Sequence, residues 1–280
     1  MTRPAAADLR LIATDYDGTL LGEGRVVSDR TRAALQILAA SHIEFVVITG
    51  RPPRYCDSIL GQTEIELSLI CANGAVGYEP ITGEVTQFAT IELTSAHEMV
   101  ADLRAAHPDA GFCAEMGAGW VSDSRWAEIT GRRPDPNPEI NDHHTGEIAD
   151  IIPHLDDRLH KLLVSLPGRN PDQALAEIAP VVGARVNAMH AGLPFIELMP
   201  PGVDKAFGLR RHCQERGIDA SQVMTFGDMP NDIAMLEWAG WGVAVDNAHH
   251  GAKSAADEVT HSNIEHGVAR IIEDVLNQTV

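Results

Sequence analysis

A chain of 280 residues, 44% hydrophobic and 22% charged, has an ordinary globular composition and is long enough for one large or two modest hydrophobic cores. Its formal charge of −19 argues against nucleic acid and anionic membranes as partners, and any phosphate site on such a surface must bring its own positive charge. Cysteines 56, 71, 113 and 213 show no paired spacing, residues 1–8 carry no apolar leader, and no apolar run approaches the ~20 residues that span a bilayer, so a reduced, cytoplasmic protein is expected.

The first 85 residues alternate strand and helix. LRLIAT (9–14) is a short apolar run with β-branched content. VSDRTRAALQILAASH (27–42) offers Ser28 as an N-cap, followed by Ala33, Ala34, Ile37 and Leu38 at helical spacing. EFVVITG (44–50) reads as a buried strand closed by Gly50, and Pro52 and Pro53 suit the opening of a helix. LSLICANGA (67–75) is a third strand, ending in Asn-Gly. Short connections between such elements predict a parallel sheet covered by helices.

The middle of the chain has a different rhythm. A helix is expected over 94–107, strand over GFCAEMGAGWVSD, a long loop over the Pro-, Gly- and His-rich residues 130–150, strand over 160–168, a helix over PDQALAEIAPVVG, and an extended stretch over ARVNAMHAGLPFIELMP. The α/β pattern then returns: helix 204–217, strand 221–228, helix 231–240, strand 241–247 and helix 264–276. The expected organisation is a first core half at 1–85, an inserted α+β domain at 86–190, and a second core half at 191–280, with a doubly wound parallel sheet in the core.

The polar groups that end the strands carry the functional argument. Asp15 and Asp17 close the first strand, with Gly18 and Thr19 turning the chain at once. The carboxyl edge of an open α/β sheet is where ligands bind. Two carboxylates this close repel, which raises one pKa unless a hard divalent cation, most simply Mg²⁺, joins them. An aspartate there can also act as a nucleophile. On this pair alone, a turn cap is an equally good reading.

Three further strand ends shift the balance. Thr49, Gly50 and Arg51 offer a hydroxyl and backbone N–H groups that could hold phosphate oxygens, although Thr is also a common helix cap. Lys205 is one of only three lysines among 21 basic residues and opens a helix, where the dipole disfavours it unless it delivers a point charge to an anion. GDMPND offers Asp228 as a candidate third metal ligand, with Asn231 and Asp232 just beyond; Asp232 alone also reads as an acid favoured at a helix start.

Taken together, D-x-D-G-T, T-G-R, a lone Lys and G-D-x-x-N-D resemble the haloacid dehalogenase-like superfamily of phosphohydrolases, and most closely its Cof-type subfamily with a large inserted cap. CANGA (71–75), GVDKAFGL (202–209), GDMPNDIAML (227–236) and the tail from VAVDNAHHG onward extend the resemblance over most of the core, with Tyr16 in place of the usual apolar residue between the aspartates. The resemblance implies an α/β fold with a three-layer, Rossmann-like core and an α+β cap, and a Mg²⁺-dependent phosphatase of small phosphorylated metabolites such as sugar phosphates. It implies that Asp15 forms an aspartyl-phosphate and that Asp17 is the general acid and base. It further implies that Asp15, the Asp17 backbone carbonyl and Asp228 hold the metal, and that Lys205, Thr49, the N–H groups of Tyr16 and Gly50, and Asn231 bind the phosphoryl oxygens. Asp232 would orient Lys205 or a metal-bound water.

A phosphomutase of the same superfamily and a non-catalytic metabolite-binding module are the alternatives at this stage. A two-carboxylate glycosidase would leave Lys205 and Asp228 without a role. Glu115, Trp120, Arg125 and Trp126 are candidate specificity residues whose better reading is cap packing. The His143–His144 and His249–His250 pairs read as surface loops, since they lack partners at zinc-site spacing. Cys71 reads as buried strand packing.

Overall fold

The computed structural model describes residues 3–117, 119–131, 143–146 and 151–277. They form two compact units, Met1–Glu84 with Lys205–Val280, and Val85–Asp204. The boundary expected at 190 falls inside the second unit, because the stretch 187–199 forms a hairpin that pairs with that unit's own sheet.

Seven strands of an eight-stranded sheet lie wholly within the first unit, and the eighth, at its edge, begins on the last residue of that stretch, Glu84. Strands β1 (Leu11–Thr14), β2 (Glu44–Ile48) and β3 (Ser68–Cys71) come from the first half of the chain, and β12 (Val223–Gly227), β13 (Trp241–Ala244) and β14 (Glu258–Val259) from the second. These six run parallel in the order β14-β13-β12-β1-β2-β3. A short strand β4 (Val76–Glu79) folds back antiparallel on β3, and β5 (Glu84–Gln87) completes the edge. Every residue of β1, β12 and β13 is buried, as expected for strands covered on both faces.

Strand alternation sorts the side chains between two helical layers. Leu11, Ala13, Val46, Ile48 and Val223 pack in one cluster with Ala206, Leu209 and Cys213 of the helix Lys205–Arg216 and Met235 of the helix Ile233–Trp238. The helices Asp29–Ala39 and Gly267–Asn277 pack against each other elsewhere in this unit. Ser28 caps the first of them as expected, accepting a hydrogen bond from Thr31 N–H at 3.1 Å. The helix expected over 231–240 begins at Ile233, because Pro230–Asp232 form a tighter turn first. Of the histidines expected on a loop here, His250 opens the helix His250–Ala255, and His249 precedes it as the cap, its Nδ1 accepting from Gly251 N–H at 3.1 Å.

The second unit carries its own six-stranded sheet in the order β10-β11-β9-β6-β7-β8: Asn187–Met189, Ile196–Met199, Leu159–Ser165, Gly111–Met116, Gly119–Asp123 and His143–Gly146. The helices Leu93–Ala106 and Pro171–Val182 pack on one face, around Phe112, Leu162, Val164, Ile196 and Leu198. Most of the loop expected over 130–150 lies outside the described residues, but His143–Gly146 pairs in parallel with Gly119–Asp123, so His143 and His144 sit in a strand. Trp120 and Trp126 pack with Cys113, Leu163 and Phe195, and Glu115 pairs with the buried Lys161 at 2.9 Å.

Candidate active site

The parallel register brings four strand ends to one edge. Thr14 lies beside Val47 on one side and Phe226 on the other, and Ile48 lies beside Ile70. Asp15, Thr49, the turn after Cys71 and Asp228 therefore leave the sheet at the same level. Asp15 continues the ladder by donating its N–H to Phe226 O at 2.9 Å. It follows Leu11 and Ala13 in alternation, which directs it to the face covered by the helix that Lys205 opens.

At that edge a buried charge cluster forms. Lys205, with no exposed surface, donates to Asp15 Oδ1 at 2.5 Å and to Asp232 Oδ1 at 2.6 Å. The other oxygen of Asp232 accepts the N–H groups of Asp228 and Met229, both at 2.9 Å. Asp228 Oδ1 accepts from the Thr19 hydroxyl at 2.8 Å. The chain reaches Thr19 through Gly18, whose φ of +88° suits only glycine and whose absent Cβ leaves room for the Asp228 carboxylate.

The electrostatics follow from burial. Burial lowers the Lys205 ammonium, but the charges and hydrogen bonds of Asp15 and Asp232 outweigh it and hold the group above its usual range. Burial pushes the Asp15 carboxyl well above its ordinary value; Lys205 pulls it down, while Asp232 and Asp228 push with the burial. Asp228 is pushed up to about 7, first by burial and then by Asp232, with the Thr19 hydrogen bond and Lys205 opposing. The repulsion expected between Asp15 and Asp17 is thus found instead among Asp15, Asp228 and Asp232.

Oxygen donors of those three carboxylates lie within 4.8 Å of one another. Against one ammonium, three ionised carboxylates leave a charge of −2, which a single divalent cation balances. Asp232 is committed on both oxygens to Lys205 and to backbone N–H groups, whereas Lys205 takes Oδ1 of Asp15, Thr19 takes Oδ1 of Asp228, and the Asp15 and Asp228 carboxyls also contact each other. The donor set is hard and all-oxygen, so the residues present fit Mg²⁺.

The strand ends at Thr14, so Asp17 does not share a strand face with Asp15. Its carboxylate is gripped by Arg51, with Nε to Oδ2 at 2.6 Å and an Nη to Oδ1 at 2.7 Å, and by Arg25 at 2.7 Å. Tyr16 is buried under the Arg51 guanidinium, 4.9 Å from the ring centroid, and burial pushes its hydroxyl up to about 12. Thr49 Oγ1 accepts from Arg51 N–H at 3.1 Å, and Gly50 lies between them. Asn231 donates its Nδ2 to Asn73 Oδ1 at 3.0 Å, and among the described residues its buried Oδ1 has no hydrogen-bond partner.

The side chains of Thr19, Arg25, Arg51 and Asn73 had no expected part in the site. Three of these carried a signal within the motifs already singled out: Thr19 closes D-x-D-G-T, Arg51 closes T-G-R, and Asn73 sits in CANGA with a left-handed φ of +50° that Asn tolerates. Arg25 had none, because its partner Asp17 is reached only by folding back eight residues.

Residues 12–272 match the sequence profile of haloacid dehalogenase-like hydrolases. The chain belongs to that family. It is 29% identical over 269 residues to a 5-amino-6-(5-phospho-D-ribitylamino)uracil phosphatase of Bacillus subtilis, YcsE, covering 95% of each chain. It is 28% identical over 275 residues to a phosphatase of the same name from Escherichia coli, YbjI, covering 96% of each. A solved haloacid dehalogenase-like hydrolase from B. subtilis superimposes with a TM-score of 0.78 at 25% identity, over 95% of this chain and 99% of that one. The α/β fold expected of the family, a doubly wound core with an inserted α+β unit, is the fold of this member. Among its described residues no helix is long and apolar enough to cross a membrane.

Proposed function

We propose that this family member, a phosphatase, hydrolyses small phosphorylated metabolites with Mg²⁺ through an aspartyl-phosphate on Asp15. The observation that carries the reading is the buried ammonium of Lys205 bridging Asp15 and Asp232, with Asp228 alongside, at the carboxyl edge of a parallel sheet. Two relatives are named 5-amino-6-(5-phospho-D-ribitylamino)uracil phosphatases, and the phosphate in that name is a monoester on a ribityl chain, which supports sugar-phosphate-like monoesters as the substrate class.

In this mechanism an Asp15 carboxylate oxygen attacks phosphorus in line, forming the acyl phosphate as the ester oxygen departs. Asp17 protonates that oxygen and afterwards takes a proton from the water that cleaves the intermediate. Because Arg51 and Arg25 hold the Asp17 carboxylate, its turn toward the leaving group accompanies loosening of those ion pairs. Lys205 supplies a fixed positive charge to the phosphoryl oxygens, assisted by Thr49, the N–H groups of Tyr16 and Gly50, and Asn231. Asp232 keeps Lys205 oriented. Asp15, the Asp17 backbone carbonyl and Asp228 would hold Mg²⁺, which supplies charge neutralisation for the transferring phosphoryl group. The inserted unit serves in this proposal as the cap that reads the leaving group, in a cytoplasmic enzyme.

Phosphate release from a panel of phosphorylated sugars, sugar alcohols and p-nitrophenyl phosphate tests the reading, with Mg²⁺, with EDTA, and with Asp15→Asn. Mg²⁺-dependent release that disappears in Asp15→Asn supports it. Release that persists in Asp15→Asn, or no release from any ester by the native chain, overturns it.

A further inference from the structure

Two of the four cysteines, unrelated in spacing, are brought together by the fold. Cys56 Sγ lies 3.2 Å from Cys71 Sγ, and both residues are fully buried. Cys71 is the last residue of its strand, and Cys56 lies between the turn Pro53–Tyr55 and the helix Asp57–Thr63. Nothing in the proposed chemistry uses either thiol.

Their position ties them to two loops of the candidate site. The residue after Cys71, Ala72, donates its N–H to Arg51 O at 2.9 Å, and Asn73 N–H donates to Thr49 O at 3.0 Å. Asn73 in turn accepts from Asn231. On the other side, the loop leading to Cys56 carries Thr49 and the Arg51 fork on Asp17. Cys56 is an electrostatic neighbour of both Arg51 and Tyr16. The thiolate is the form of cysteine that attacks peroxides.

We propose that Cys56 and Cys71 are a redox-sensitive dithiol, which a hydroperoxide converts to an intramolecular disulfide that slows the phosphatase. One sulfur, as thiolate, attacks the peroxide; the O–O bond breaks, the alcohol (or water, from hydrogen peroxide) leaves, and a sulfenic acid remains. The second thiol attacks that sulfur, its proton and the hydroxyl leaving as water. Two thiols are oxidised by one electron each while the peroxide takes up two. Both sulfurs are buried, so the reaction is gated by local opening of the short segment 53–63. Closing a 3.2 Å contact to a bond of about 2.05 Å draws the two loops together by roughly 1 Å. Displacements of that size at catalytic groups cost on the order of a hundredfold in rate.

The test uses the full chain treated with hydrogen peroxide, then denatured and alkylated. The reduced protein exposes all four thiols. The expected product has lost two hydrogens, keeps only Cys113 and Cys213 alkylatable, and yields a peptide linking residues 56 and 71. Its phosphate release should fall by a factor of ten or more and recover with dithiothreitol, while Cys56→Ala and Cys71→Ala resist the treatment. Four alkylatable thiols after treatment, a link elsewhere, an unchanged rate in the bridged protein, or equal inactivation of Cys56→Ala would each overturn it. The mass measurement needs no substrate. Lack of turnover by the reduced protein would therefore count against the proposed function, while the bridge would be decided separately.

Discussion

Asp228→Asn is expected to stabilise the metal-free protein while abolishing its activity. The Asp228 carboxyl, ordinarily near 3.8, is held at about 7 by burial and by Asp232. A raised carboxyl pKa means that the folded state binds the proton more tightly than the unfolded chain, so stability falls as pH rises. The penalty is negligible below pH 3.8. At about 1.4 kcal/mol per pH unit it reaches about 2 kcal/mol at pH 5 and levels near 4 kcal/mol above pH 7. An asparagine keeps the Oδ1 that accepts from Thr19 and carries no charge, so the penalty vanishes. Thermal unfolding in EDTA should therefore show the variant melting on the order of 10 °C above the native chain at pH 8, with a smaller gain at pH 5. Mg²⁺ should raise the melting temperature of the native protein and leave the variant unmoved, because binding to the folded state alone stabilises it. A variant that melts lower at pH 8, or by the same margin at both pH values, would refute the buried-charge argument.

Lys205→Met should be destabilising by about 3–5 kcal/mol in urea titration and inactive, since it leaves Asp15 and Asp232 facing each other without their shared cation. Gly18→Ala forces a Cβ onto the Asp228 carboxylate at φ +88°; a loss of at least about 1 kcal/mol and a raised Mg²⁺ requirement are expected, read by unfolding and by metal titration of the rate. Arg51→Lys replaces a two-pronged grip on Asp17 with a point charge; kcat should fall by roughly tenfold while stability changes by less than about 1 kcal/mol, and equal losses in both would contradict a positioning role. In the second unit, Lys161→Met strands Glu115 and Glu197 in a buried position, and calorimetry should show that unit melting earlier, at a cost of about 3–5 kcal/mol.

The sequence by itself determined the central strands and the larger helices of the core, but not the short elements Val76–Glu79, His250–Ala255 and Glu258–Val259, because apolar periodicity and end residues are local signals: Ser28 as a cap, Gly217 with its φ of +59° after the helix Lys205–Arg216, and the continuous apolar runs of buried parallel strands. It also determined which residues stand at the strand ends, since Asp15, Thr49 and Asp228 each follow an apolar run directly. What it could not decide is who faces whom. Strand alternation through Leu11, Ala13 and Asp15 predicts a face, but only packing of the helix Lys205–Arg216 on that face makes Lys205 the partner of Asp15 and Asp232. Reading Asp15 and Asp17 as one repelling pair failed because the strand stops at Thr14, after which Gly18 turns the chain and two distant arginines take Asp17. The second boundary of the insert and the pairing of Cys56 with Cys71 were invisible for the same reason. Hairpin pairing between 187–199 and 159–165, like contact between sulfurs 15 positions apart, is set by tertiary approach of segments whose local sequences carry no mark of each other.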